Sequence, residues 1–120
     1  MNKATLKLEM ELSAQRIIDL FISAREGGSN YWCGNTIRPN TKATKTEEWY
    51  AAMLRGFSIV DHKDSGDVSH VVTRGDIEQA LQKFPVECPA QFAAWISEDD
   101  DAETGDCFLQ LCVFGEVIYG

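Results

Sequence analysis

The sequence predicts an α+β domain: a small antiparallel sheet, built from an N-terminal strand and a 57–73 hairpin, with four to five helices packed on one side. Three observations lead there. Residues 4–12 alternate polar and apolar side chains, residues 57–73 hold two β-branched runs around a turn, and several apolar sets recur at helical spacing between start and stop signals.

In "ATLKLEMEL" (4–12), Leu6, Leu8, Met10 and Leu12 fall on one side, and Thr5, Lys7, Glu9 and Glu11 on the other. That is the pattern of a half-buried strand. Ser13 is placed to cap a helix reaching about residue 26. Ile17, Ile18, Leu20, Phe21 and Ala24 form its apolar face, and Gly27-Gly28 ends it. "SNYWCGNTIRPNTKAT" (29–44) reads as irregular. Thr44 with Glu47 fits a capping box for a short helix that turns Trp49, Tyr50, Met53 and Leu54 inward and stops at Gly56. "FSIVDHKDSGDVSHVVT" (57–73) reads as a hairpin around Lys-Asp-Ser-Gly. Thr73, three before Asp76, opens a helix carrying Ile77, Ala80, Leu81 and Phe84, with Pro85 as its stop. Pro89 opens another carrying Phe92, Trp95 and Ile96. From about Glu103 a last helix is apolar nearly all round, through Cys107, Phe108, Leu111, Cys112 and Phe114, and should be buried.

The 120 residues, 44% of them hydrophobic, suffice for one core, so residues 1–120 are read as a single domain. No run of 18 apolar residues exists, which predicts no membrane span. The N-terminus lacks the continuous apolar stretch of a secretory signal, so a cytoplasmic setting is expected. Cys33, Cys88, Cys107 and Cys112 form no C-x-x-C pair, and His62 and His70 complete no zinc spacing. Free, mostly buried thiols are expected.

The net charge of −8 is unevenly placed. Residues 1–60 hold eight basic and six acidic side chains, or +2; residues 61–120 hold three and thirteen, or −10. After Lys83 there is no Lys or Arg, against eight carboxylates. Phosphate binding needs basic clusters, so direct nucleic-acid binding is not expected there; such a field suits a basic partner surface or simply solubility.

The acidic run is Glu98, Asp99, Asp100, Asp101, Glu103 and Asp106. As a calcium loop from Asp99 it fails, because its sixth and twelfth positions are Thr104 and Gln110 rather than Gly and Glu. A magnesium site from Asp101 or Glu103 with Asp106 is a weaker version of the same idea. The simpler reading is a solvated helix start, where carboxylates complement the dipole, with a partner-binding surface as the functional alternative. Tyr31 and Trp32 follow a Gly-Gly stop: such a pair either closes the core over a helix end or anchors a partner. His62 and His70 flank the hairpin turn, and surface histidines facing each other across the strands are the expected account, since no nucleophile has a motif context. "GGSNYWCG" is not a phosphate loop. No catalytic residue and no cofactor is assigned, and no enzyme is expected.

"TGDCFLQLCVFGEVIYG" (104–120) resembles the closing segment of a family of small proteins encoded by phages, prophages and mobile elements. The shared pattern is T-x-D-x-x-L-Q-x-x-x-F-G-E-x-x-Y-G, matched here at Thr104, Asp106, Leu109, Gln110, Phe114, Gly115, Glu116, Tyr119 and Gly120. "GGSNYW" resembles the family's Gly-Gly followed by Tyr-Trp. The resemblance implies a setting, the cytoplasm of a bacterial host, and names no chemistry. The expected function is therefore that of an interaction protein, inhibiting a host defence complex (of CRISPR type, for example) or a nucleic-acid enzyme. Asp99, Asp100, Asp101, Glu103, Asp106, Tyr31 and Trp32 would contact a basic host surface. The alternative is a nucleotide-signal binding module stacking a base on Tyr31, Trp32 and Trp49, with Arg38 or Arg55 at the phosphate.

Overall fold

The computed structural model describes residues 14–42, 46–63 and 66–120. The strand expected over 4–12, the Ser13 cap and the Thr44 capping box lie outside them. What is described is an α+β fold: three antiparallel strands with six α-helices.

Helix α1 (Ala14–Ser23) buries Leu20 and Phe21, and Ile17 and Ile18 lie half-buried beside them. Its axis continues as a π-helical turn, Ala24–Gly28, with non-helical backbone at Gly27. The segment expected to be irregular contains a one-turn helix, α2 (Asn30–Cys33), and a two-residue strand, β1 (Arg38–Pro39). Helix α3 (Thr46–Met53) ends before the expected Gly56. That glycine instead begins strand β2 (Gly56–Asp61), with φ +125°. A Cβ there would stand 2.8 Å from the Val72 carbonyl oxygen, so both the conformation and the close approach require glycine.

The hairpin is as expected. Strands β2 and β3 (Val68–Thr73) pair antiparallel from Gly56↔Thr73 to Asp61↔Val68. On the other side β1 pairs with β2 through Arg38↔Ser58 and Pro39↔Phe57. Phe57, Ile59 and Val72 are buried against the helices, whereas Ser69 and Val71 face out. The two histidines do not face each other across the strands. His70 pairs with Ile59 and sets its ring edge-on to Phe114 at 5.2 Å, while His62 lies past the end of β2 with Nδ1 2.7 Å from Asp67 Oδ1.

Helix α4 (Arg74–Glu87) starts at the expected Thr73 box: Thr73 Oγ1 accepts from the Asp76 N–H, and the Asp76 carboxylate accepts from the Thr73 N–H. It runs two residues beyond Pro85. A proline removes one donor, here the one that would meet the Leu81 carbonyl, yet the turn after it still closes, the Cys88 N–H reaching the Phe84 carbonyl at 3.0 Å. Helix α5 (Pro89–Ile96) has proline in its first turn, as expected.

Helix α6 (Ala102–Phe114) is the central element. Phe108 packs on Phe21 of α1 at 5.6 Å and on Phe84 of α4 at 5.4 Å; Phe21 in turn meets Phe57 of β2 at 5.4 Å, and Phe84 meets Trp95 of α5 at 5.7 Å. One row of rings thus ties sheet, α1, α6, α4 and α5 together, each contributing about 1.5–3 kcal/mol by burial. Gly105 lets α6 approach α1, because a Cβ there would lie 2.7 Å from the Leu20 carbonyl oxygen and 2.8 Å from the Ala24 nitrogen. Gly115, left-handed at φ 75°, ends the helix with its N–H on the Leu111 carbonyl.

Candidate functional site

An apolar helix carrying an aspartate must satisfy it or leave a buried charge unpaired. In α6 that residue is Asp106, 6% exposed, on the face toward α2. Its Oδ1 accepts from Ser29 Oγ at 2.7 Å and Trp32 Nε1 at 2.8 Å. Its Oδ2 accepts from Tyr31 OH at 2.6 Å and Gln110 Nε2 at 3.1 Å. Four donors on one carboxylate make charge-assisted bonds, which compensate for its burial. Three of the four come from Ser29, Tyr31 and Trp32, so the short α2 segment exists as a collar of donors around Asp106.

Gln110, one helical turn on and fully buried, extends the network to the C-terminal segment. Its Nε2 also donates to the Tyr119 carbonyl at 3.1 Å, and its Oε1 accepts from the backbone N–H groups of Ile118 and Tyr119, both at 2.9 Å. The Tyr119 hydroxyl then donates to Asp61 Oδ2 at 2.6 Å, while Asp61 Oδ1 accepts from the Lys63 N–H at 3.0 Å. Buried polar side chains therefore link α2, α6, the chain end and the tip of β2. Burial, reinforced by the bond to Asp106 and its charge, pushes the Tyr31 hydroxyl well above the usual tyrosine range. It is held as a donor, not as a base.

Above this network lies the surface. Tyr31 is 47% exposed although its hydroxyl points inward, and Lys63 Nζ stands 5.2 Å from its ring centroid. Glu103 is exposed one turn before Asp106, and Asp99 is exposed and Asp100 half-buried at the approach to α6. Asp101 has a separate task. It is the N-cap of α6, its Oδ1 accepting from the Thr104 N–H at 3.1 Å while Thr104 Oγ1 accepts from the Asp101 N–H at 3.2 Å. Glu98 pairs with Arg16 at 3.7 Å; Asp99, Asp100, Asp101 and Glu103 take part in no ion pair among the described residues.

Set against the expected contact residues, Asp99, Asp100, Glu103 and Tyr31 reach the surface, and Asp101 is exposed while capping. Trp32 and Asp106 lie beneath. Trp32 is 0% exposed because its indole N–H finds Asp106, which removes the usual reason for a tryptophan edge to stay wet. Its ring meets Phe114 at 5.2 Å and Tyr119 at 6.0 Å. The structure adds Ser29, Gln110, Asp61 and Tyr119, whose roles the sequence reading did not assign. The signal available for Gln110 was its i, i+4 spacing from Asp106 inside an otherwise apolar helix.

Among the described residues no group of three or more His, Cys, Asp or Glu side chains is arranged to hold a metal ion. The Asp106 oxygens that a magnesium site would need are taken by donors. The residues expected to stack a base do not converge: Trp32 is buried, and Trp49 carries the Arg25 guanidinium 4.4 Å over its ring. Arg38 is turned to the carbonyls of Asn35 and Ile37, at 2.7 Å each. All four cysteines are free thiols. Burial, helped by the negative charges of Asp106 and Asp61, pushes Cys33 up to about 12, and burial beside Cys88 pushes Cys107 up to about 12. Both stay protonated near neutral pH and are poor nucleophiles. No helix among the described residues is long and apolar enough to cross a membrane.

No protein-family model matches the chain, and comparison with curated proteins and with solved structures returns no match.

Proposed function

We propose that this chain is a non-enzymatic interaction protein that docks the acidic, tyrosine-bearing face at the start of α6 onto a basic surface of a bacterial host protein. The observation carrying the reading is Tyr31: an exposed ring whose hydroxyl is fastened to the buried Asp106, one turn after Glu103, which like Asp99 and Asp100 takes part in no ion pair among the described residues. A ring already fixed loses little freedom on binding, so its contact area converts to affinity at low entropic cost. Asp99, Asp100 and Glu103 supply the field that speeds encounter and sets register. Asp106 and Trp32 act from below by holding Tyr31 in place. The fitting partner is a cationic groove that otherwise binds nucleic acid. The resemblance of residues 104–120 to phage and mobile-element proteins supports a cytoplasmic, counter-defence setting, for example against a CRISPR-type complex. The chain itself would not bind nucleic acid.

The test is capture from bacterial lysate with the wild-type chain and with an Asp99→Lys/Asp100→Lys/Glu103→Lys variant as baits. Wild type should retain one stoichiometric protein that added DNA displaces, and the variant should not retain it. Equal capture by both baits, or capture indifferent to DNA, would overturn the reading. Asp101 stays unchanged in the variant, because altering it would disturb the cap as well as the charge.

A further inference from the structure

The Tyr31 ring has a companion. The C-terminal segment brings Tyr119 to the tip of β2, and Lys63 Nζ stands over both rings, 5.2 Å from the Tyr31 centroid and 5.9 Å from that of Tyr119. Each hydroxyl donates to a buried carboxylate at 2.6 Å, Tyr31 to Asp106 and Tyr119 to Asp61. A phenol that donates to a carboxylate keeps extra electron density on its oxygen and ring, and a richer ring face draws a cation more strongly. Both rings are also held in place. Gln110 grips the Tyr119 backbone through its N–H and its carbonyl, and the Tyr119 ring lies 6.0 Å from that of Trp32 and 5.8 Å from that of Phe114. Two carboxylates thus lie at the hydroxyl ends of the ring pair, against the single ammonium of Lys63.

We propose that Tyr31 and Tyr119 form a two-ring site for an arginine side chain of the basic partner, filled in the free chain by Lys63 as a replaceable stand-in. The source of that arginine rests on the docking reading above; the site itself rests on the rings and carboxylates. The first ground is occupancy: a cation of this chain already sits over both faces. The second is charge. Asp61 and Asp106 outnumber Lys63, so a neutral apolar side chain would displace the ammonium and put no charge in its place. The third is exchange. Lys63 is exposed and its ammonium is strongly hydrated, whereas a guanidinium is planar, always charged and more weakly hydrated, so it gains more from an aromatic face. A groove that binds nucleic acid holds arginines for its phosphates, and these become available once that groove meets Tyr31.

The experiment titrates N-acetylarginine methylamide into the full chain, followed by the NMR signals of the tyrosine rings and of the Lys63 side chain. Lys63→Ala opens the site, Lys63→Arg fills it with the chain's own guanidinium, and Lys42→Ala removes the same charge from another exposed position. Affinity should rise at least about threefold in Lys63→Ala, fall below wild type in Lys63→Arg and stay at the wild-type value in Lys42→Ala. Shifts should centre on Tyr31 and Tyr119, and in wild type the Lys63 signals should move as the probe enters. N-acetylglutamine methylamide, similar in reach but neutral, should produce none of these changes. Equal affinity in every chain, an equal rise in Lys42→Ala, shifts centred elsewhere, or no binding even to Lys63→Ala would overturn the proposal. The probe needs no partner, so the two readings fail separately: a retained partner with no response to the probe would strike the two-ring site and leave the docking reading standing.

Discussion

Asp106 has four partners, and its substitution tests whether it is support or surface. Asp106→Asn keeps the shape but turns an NH2 toward the Gln110 amide and removes the charge that four donors share. Bonds to a buried charge are worth about 1.5–3 kcal/mol each, and stranded donors cost similar amounts, so a loss of about 3 kcal/mol in urea unfolding is expected. A surface aspartate would cost less than about 0.5 kcal/mol. Tyr31 makes a second prediction, in pH. Burial, with Asp106 beside it, raises its hydroxyl in the folded state, and burial with Glu26 nearby raises Tyr50 too. The unfolded value is about 10. A raised folded value means that the stabilisation is full below about pH 10 and is lost as pH climbs beyond it. Stability measured from pH 8 to 11 should fall above 10, and Tyr31→Phe should soften that fall. At this scale the sequence was half legible. Asp106 and Gln110 stand out as polar residues one turn apart in an apolar helix, but nothing in "GGSNYWCG" says that Ser29, Tyr31 and Trp32 all point at one carboxylate, because that convergence depends on a contact across more than seventy residues.

Helices with sequence-local signals were readable: the Thr73/Asp76 box, the Pro89 start and the all-round apolar α6 each rest on residues within a few positions of one another. The hairpin was readable for the same reason. Strand β1 was not, since two residues including a proline show no period, and only its pairing with β2 makes it a strand. Nor was the continuation of α4 past Pro85 to Glu87, where the residue that signals a stop removes one donor and leaves the closing bond from the Cys88 N–H to the Phe84 carbonyl in place. The acidic run divides at this scale. Asp101→Ala should cost about 1 kcal/mol through the lost cap, whereas Asp99→Ala should stay within about 0.5 kcal/mol, both read by thermal unfolding. Gly105→Ala sets two effects against each other. Alanine improves helix propensity by about 1 kcal/mol. Its Cβ, however, meets the α1 backbone at 2.7–2.8 Å, and overpacking costs about 1–3 kcal/mol, so net destabilisation is expected.

The charge map applies to the molecule as a whole. The half carrying −10 lacks any Lys or Arg after Lys83, and five of its thirteen carboxylates, Glu98, Asp99, Asp100, Asp101 and Glu103, stand together at the start of α6, the helix that the core is packed around. Charge reversal at exposed positions should therefore alter association without altering folding: the Asp99→Lys/Asp100→Lys/Glu103→Lys chain should unfold within about 1 kcal/mol of wild type in urea. The sequence held this asymmetry in plain view, and what it withheld was which carboxylates are free to act. The most direct test is the Kd for the captured partner as a function of NaCl, for wild type, the triple variant and Tyr31→Ala. Wild type should weaken steeply with salt, the triple variant should bind at least about tenfold more weakly at low salt with a flatter dependence, and Tyr31→Ala should lose affinity while keeping the wild-type slope. A triple variant that matches wild type in both affinity and slope would contradict the account.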